Sequence, residues 1–249
     1  MFKSLILLIA GFFMFISCNK KNASEEYIPN SDLPESFDLR ETGYLTPAKN
    51  QGDLGSCWAF ACLGLTEYLI NKEYGLEIDL SEQHLVNCAG FGPFDGIKYL
   101  HEHGVVLEEE LPYNEIVNDC NSSLSGKYKI KGSQSLDLKN LSFNQRIDSL
   151  KNTIINFGPV ITHLDLYNDL GTYNDGIYLN NPASGENGGH IVIIVGYAND
   201  TSIKNGGYWA CKNSWGAAWG ENGYFKIPFD ECNIAIYYGI TVSGVIQLN

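Results

Sequence analysis

Residues Gln51-Gly52-Asp53-Leu54-Gly55-Ser56-Cys57-Trp58-Ala59-Phe60 constrain this chain more than any other stretch. Immediately after Cys57, the apolar residues Trp58, Phe60, Ala61, Leu65, Tyr68 and Leu69 recur at helical spacing, so a helix should begin at the cysteine. Its thiol then sits in the first turn, where unpaired N–H groups and the macrodipole favour thiolate over thiol. Gly52 and Gly55 leave the preceding loop room to fold Gln51 back beside the sulfur.

Two downstream segments supply what acyl chemistry at such a thiol requires. Gly188-Gly189-His190-Ile191-Val192-Ile193-Ile194-Val195-Gly196 puts a histidine at the mouth of a buried strand. Tyr208-Trp209-Ala210-Cys211-Lys212-Asn213-Ser214-Trp215-Gly216 delivers an asparagine at the end of another. Gln51, Cys57, His190 and Asn213 can serve as oxyanion donor, nucleophile, base and orienting group. Taken singly, each has a plainer reading: a buried or bridged cysteine, a structural histidine, a turn-capping asparagine. Their joint order selects the chemical one. Such chemistry calls for no cofactor or metal, and the close pair His101 and His103 lacks further ligands at zinc spacing.

At these residues the chain resembles the papain family of cysteine proteases, and the resemblance runs on from Leu33. Leu33-Pro34-Glu35-Ser36-Phe37-Asp38 is similar to the start of a mature papain-like enzyme, and Leu80-Ser81-Glu82-Gln83-His84-Leu85-Val86-Asn87-Cys88 to the segment after the catalytic helix. Asn213-Ser214-Trp215-Gly216 and Trp219-Gly220-Glu221-Asn222-Gly223-Tyr224 complete the pattern. The resemblance implies an α+β, two-lobed fold: a helical N-terminal lobe, an antiparallel β-barrel-like C-terminal lobe, and the active site in the cleft between them. It implies a peptide or protein substrate, with Gly55, Ser56, Gly188, Gly189, Trp215, His163 and Tyr237 near it. In the family the first tryptophan shelters the Asn–His hydrogen bond; Tyr237 would close the second specificity pocket and favour small side chains. It also implies a Cys88–Cys120 disulfide. Cys232 resembles a half-cystine whose usual partner is missing, with Cys211 as a candidate replacement, while Cys62 reads as buried and free.

Departures from the family are as informative. Leu54 stands where most members carry a cysteine, so the active-site loop is expected to be held by packing alone. The glycine-rich segment after Cys88 is reduced to Ala89-Gly90-Phe91-Gly92-Pro93-Phe94, which changes the substrate contacts on that side.

Ahead of the domain, Met1-Phe2-Lys3 and the apolar run Ser4 to Ser17 have the layout of a secretory signal, too short for a membrane span. Phe15-Ile16-Ser17-Cys18 resembles a bacterial lipoprotein box, which would make Cys18 the lipidated first residue and anchor the chain to the cell envelope. The plainer reading is ordinary cleavage and secretion. Residues 18–32 read as a flexible tether, too short for a helical propeptide, so control is expected from location, substrate access or a separate protein inhibitor. The catalytic domain is taken as 33–249, acting as a monomer. A net charge of −13 argues against nucleic-acid binding.

Helices are expected over 57–74, 81–88, 96–103 and 144–157, with Gly75 and Gly104 as stops. Strands are expected over 160–166, 176–179, 190–196, 208–213 and 223–227. The leading function is a cysteine-type endopeptidase. The alternatives are a peptide-binding protein with an altered site, or an acyl transferase or peptide ligase that passes the same thioester to an amine.

Overall fold

The computed structural model describes residues 33–248. The leader, Cys18 and the tether lie outside the described residues.

Helix α1 (Cys57–Tyr74) begins at the cysteine and ends where Gly75 turns left-handed at φ 67°, donating its N–H to Asn71 O. Residues Trp58 to Ile70 are all buried, so beyond Cys57 only the last turn of this helix reaches solvent. It packs on strand β5 (Glu186–Asn199) on one side and on α2 (Glu82–Cys88) and α3 (Pro93–Glu102) on the other. Ser81 caps α2 by accepting from the His84 N–H. Helix α3 starts three residues earlier than expected, because Pro93 occupies its first turn, where a missing N–H costs nothing.

The second half is a sheet. Among the described residues β1 (Ser36–Asp38), β3 (Ser133–Asp137), β4 (Val160–Tyr167), β5 (Glu186–Asn199), β6 (Gly207–Lys212), β7 (Tyr224–Pro228) and β8 (Tyr238–Val242) form one seven-stranded antiparallel sheet. The order is β3-β8-β4-β5-β6-β7, with β1 on β5; β3 and β7 do not pair, so the sheet is open rather than a closed barrel. Strands β2 (Tyr128–Ile130) and β9 (Val245–Gln247) form a separate pair. Helix α4 (Phe143–Asn156), started by a Ser142–Gln145 capping box, packs on β4 and β5. One hydrophobic core runs from α1 into the sheet without a break.

The expected strand at 176–179 is absent. Ile177 makes a single parallel bridge to Lys226 and Tyr178 N–H donates to Lys226 O, so this segment only touches the edge of β7. Its side chains are spent elsewhere: the Tyr178 hydroxyl is tied to Asp169 at 3.0 Å, and Leu179 is exposed.

The disulfide joins Cys88 to Cys120, and Cys62 is buried and unbonded. Cys211 and Cys232 do not pair. Cys211 is sealed within β6 opposite Ile194 and Phe225, while Cys232 sits in a tight left-handed turn against Tyr178.

A buried ionic cluster fastens the N-terminal segment to both halves. Lys49 Nζ donates to Glu67 Oε1 on α1 (2.7 Å), Glu82 Oε1 on α2 (2.9 Å) and Leu80 O (3.0 Å). Thr46 Oγ1 donates to the other Glu67 oxygen at 2.7 Å and accepts from Lys212 Nζ on β6 at 3.1 Å. Burial alone would push the Lys49 ammonium down, yet Glu67 and Glu82 hold it well above its ordinary value. Lys212, with a hydroxyl rather than a carboxylate as its partner, is pushed down by burial to about 8.

Candidate active site

Cys57 is the first residue of α1, with Ser56 as the N-cap. Burial pushes its thiol up, while the backbone N–H groups of Ile191, Trp58 and Cys57 pull it down, and burial prevails. Two of those donors belong to the open first turn of the helix. The third comes from β5, one residue past His190, so helix and sheet meet at the sulfur.

His190 is buried on β5 opposite Leu164 of β4. Asn213 follows β6 directly and is anchored by its own N–H donating to Gly223 O at 2.9 Å. Its Oδ1 lies 2.7 Å from His190 Nε2 and also accepts from the Ser214 N–H at 2.8 Å. A backbone N–H can only donate, so the atom facing it must be the amide oxygen. The His190 Nε2 therefore carries the proton, and Nδ1 is the basic nitrogen left over. Trp215 stacks on the imidazole at 4.9 Å and Trp219 packs edge-on against Trp215, covering this bond with aromatic surface. Burial pushes the imidazole down to about 4, even though the Asn213 bond raises it.

Gln51 is buried, and its amide is held at both ends. Oε1 accepts from Ser214 Oγ at 2.6 Å, and Nε2 donates one hydrogen to Leu54 O at 2.9 Å, leaving the amide's second N–H for a ligand. The loop is not held by packing alone. Tyr113 OH donates to Gln51 O at 2.9 Å and meets Ser56 Oγ at 2.6 Å. Glu115 accepts from Asp53 N–H at 3.1 Å, and Gln51 N–H donates to Ser214 O at 2.8 Å. These hydrogen bonds stand where the missing disulfide would brace the loop. Tyr113, Glu115 and Ser214 were not singled out from the sequence; Ser214 lies inside a matched segment, but only the long-range contacts reveal the role.

Gly55, Gly188 and Gly189 are exposed, Ser56 is buried against Tyr113, and Trp215 is half-buried. His163 on β4 meets Tyr237 edge-on at 5.6 Å, and Tyr237 is partly exposed. On the helical side Phe91 is 82% exposed and leans on Trp58, while Phe94 packs on Tyr238 at 5.0 Å. Tyr238 lies near enough to Cys57 and Cys62 that their negative charge, after burial, helps push its hydroxyl up to about 12. Of the remaining histidines, His84 is buried, its Nδ1 accepting from Val106 N–H at 3.3 Å, and His101 and His103 lie on the surface of α3 and its end. Behind Cys57 a cavity of about 20 Å³, room for about one water, reaches Glu67, Lys212 and Asn213.

Residues 33–241 match the family model described as papain family cysteine protease. The chain is 36% identical over 211 residues to the viral cathepsin of Cydia pomonella granulosis virus, covering 82% of this chain and 60% of that protein. It is 34% identical over 215 residues to human cathepsin L2, covering 81% and 63%. This chain thus spans about 60% of the length of the curated relatives it matches. Among solved structures, bromelain from Ananas comosus in complex with the E64 inhibitor superposes with a TM-score of 0.70 at 27% identity, covering 85% of this chain and 99% of that one. The digestive procathepsin L2 proteinase of Tenebrio molitor gives 0.70 at 32% identity, covering 89% and 70%. With a family match spanning residues 33–241, the chain belongs to the papain family of cysteine proteases.

Proposed function

We propose that this chain is a cysteine-type peptidase in which Cys57, His190, Asn213 and Gln51 do the chemistry. The observation that carries the reading is the Asn213 oxygen, fixed by the Ser214 N–H and accepting from His190 Nε2, which leaves His190 Nδ1 as the basic nitrogen and supports its role as base. Burial makes a lone thiolate or a lone imidazolium costly here. Moving the proton from Cys57 Sγ to His190 Nδ1 creates both charges together in a water-poor site, where each stabilises the other. The sulfur then adds to a peptide carbonyl. The Gln51 amide N–H and the Cys57 backbone N–H receive the oxyanion, His190 returns its proton to the leaving amine, and water cleaves the thioester.

Substrate side chains enter beside Gly188 and Gly189, with His163 and Tyr237 as the wall of the second pocket; the partly exposed Tyr237 ring favours small residues there. Internal peptide bonds are the expected targets. The Cys88–Cys120 disulfide supports export through the leader Met1–Ser17, since such bonds persist in oxidising compartments. Lipidation at Cys18 is the form of export the lipoprotein-like box favours.

Hydrolysis of a fluorogenic dipeptide or tripeptide amide tests the reading. Cys57→Ala should lower turnover by several orders of magnitude without altering the fold. Retained turnover in that variant would overturn the assignment, and amide products formed from added amines in preference to hydrolysis would make the protein a ligase.

A further inference from the structure

Two aromatic rings at the start of α3 face solvent, and the mechanism above leaves them unused. Phe91, 82% exposed, is the most exposed large apolar side chain among the described residues, and Phe94 is 52% exposed. Single surface rings need no explanation, but these two share one turn and reach toward both halves of the molecule. Phe91 leans on Trp58, the residue after Cys57, with ring centroids 6.2 Å apart. Phe94 packs at 5.0 Å on Tyr238, whose chain neighbour Tyr237 meets His163 edge-on in the wall assigned above to the second pocket.

The turn that carries the rings is fixed to α1. Gly96 lies so close to that helix that a Cβ there would stand 3.0 Å from Cys62 Sγ and 3.1 Å from the Trp58 ring. Cys62 donates its S–H to Pro93 O at 3.6 Å, and Gly92, at φ 102°, leads into α3 with a backbone that favours glycine. Asp95 folds over Gly90, where a Cβ would meet its Oδ2 at 2.4 Å, and the Cys88–Cys120 disulfide ties the chain just before it. A ring held in water by a fixed backbone loses little further freedom when a ligand covers it, so most of the gain from burial goes into binding.

We propose that Phe91 determines specificity, as a platform for an aromatic side chain at the third substrate residue on the amino side of the cleaved bond. The direction follows from the chemistry and the strand order. His190, on β5, hands its proton to the leaving amine beneath Trp215, which follows β6, so the carboxyl-side product departs on the β6 side. The acyl half then runs toward the opposite flank of β5, where β4 and β8 bring His163 and Tyr237. Phe94 faces that wall from the helical side at the second residue, and Phe91, three positions earlier on the same turn, takes the residue beyond it. A substrate ring there would settle edge-on or offset against Phe91, the arrangements that aromatic pairs prefer. The inference rests on the peptidase reading above and narrows its substrates to peptides with a small second residue and an aromatic third.

Kinetics of the full chain on acetylated tripeptide coumarin amides, varied one position at a time, test this. Wild type should cleave a substrate with phenylalanine at the third residue with a kcat/KM roughly tenfold above that of its glycine counterpart. Phe91→Ser should bring that ratio to within about twofold and leave the ratios among second-position residues as they were, while Phe91→Tyr should retain it. A side chain this exposed can be exchanged without disturbing the fold. A wild type indifferent at the third position, a preference that Phe91→Ser leaves intact, or a uniform loss across every substrate overturns the proposal and leaves the peptidase reading standing. Hydrolysis of no member of the series would remove the peptidase reading and the role of Phe91 with it. Sedimentation velocity covers the other occupant: a dimer that Phe91→Ser dissolves would assign the ring to a second copy of this chain and overturn its role in substrate choice.

Discussion

Asn213 is asked for two hydrogen bonds by two neighbours, and the pair of requests determines which of its amide atoms faces His190. That leaves His190 with its basic nitrogen on the side away from Asn213, and in the proposed pair its charge depends on Cys57. With burial holding the ring at about 4, against 6.5 for an unstrained histidine, folding favours the neutral form. A depressed value of this kind contributes stability that is complete above about pH 6.5 and is lost as the pH falls through about 4. In Cys57→Ala, which has no thiolate, the His190 ring should therefore titrate near 4 by NMR. In the wild type the thiolate should hold the imidazolium to much higher pH. Identical titrations in the two proteins would contradict pairing. Gln51 is the other residue whose proposed role is local: if its amide is an oxyanion donor, Gln51→Ala should lower kcat on the order of a hundredfold with KM little changed. An effect confined to KM would place Gln51 in binding instead.

At the scale of elements, α1 was legible because an apolar run between a catalytic-type cysteine and Gly75 admits little else, and the structure begins and ends it at those residues. Strands β4 and β6 were legible for a similar reason: their apolar runs are bounded by glycine or proline punctuation. Residues 176–179 misled because a short Gly-Ile-Tyr-Leu run has strand composition, whereas its place at the edge of β7 depends on Asp169 and Lys226, which no local pattern reveals. The bracing of the oxyanion loop was invisible on the same grounds. Tyr113 lies 62 residues from Gln51 in sequence, yet its hydroxyl holds the loop. Tyr113→Phe should cost roughly 1 kcal/mol in urea unfolding and lower kcat more than it changes KM. A variant indistinguishable from wild type would return the loop to packing alone.

For the molecule as a whole, the chemistry depends on a helix and a sheet being held in fixed relation. The fasteners are specific. Ser214 grips Gln51 at its backbone and its side chain, Asn50 bridges to Trp215, and the Lys49–Glu67–Glu82 cluster ties the segment before the loop to two helices. The order of Cys57, His190 and Asn213 was readable from sequence because each sits in a recognisable local setting. These fasteners were not, because each joins groups far apart along the chain whose partners are set only by the fold. The central claim is that Cys57, held at the helix start and facing the sheet, is the nucleophile. The most direct test is stoichiometric labelling of the folded protein with an epoxysuccinyl probe, mapped by peptide mass spectrometry alongside peptidase activity. The account predicts one adduct per chain on Cys57, activity lost in step with labelling, and none of it in His190→Ala; an unlabelled Cys57, or full activity after labelling, would contradict it.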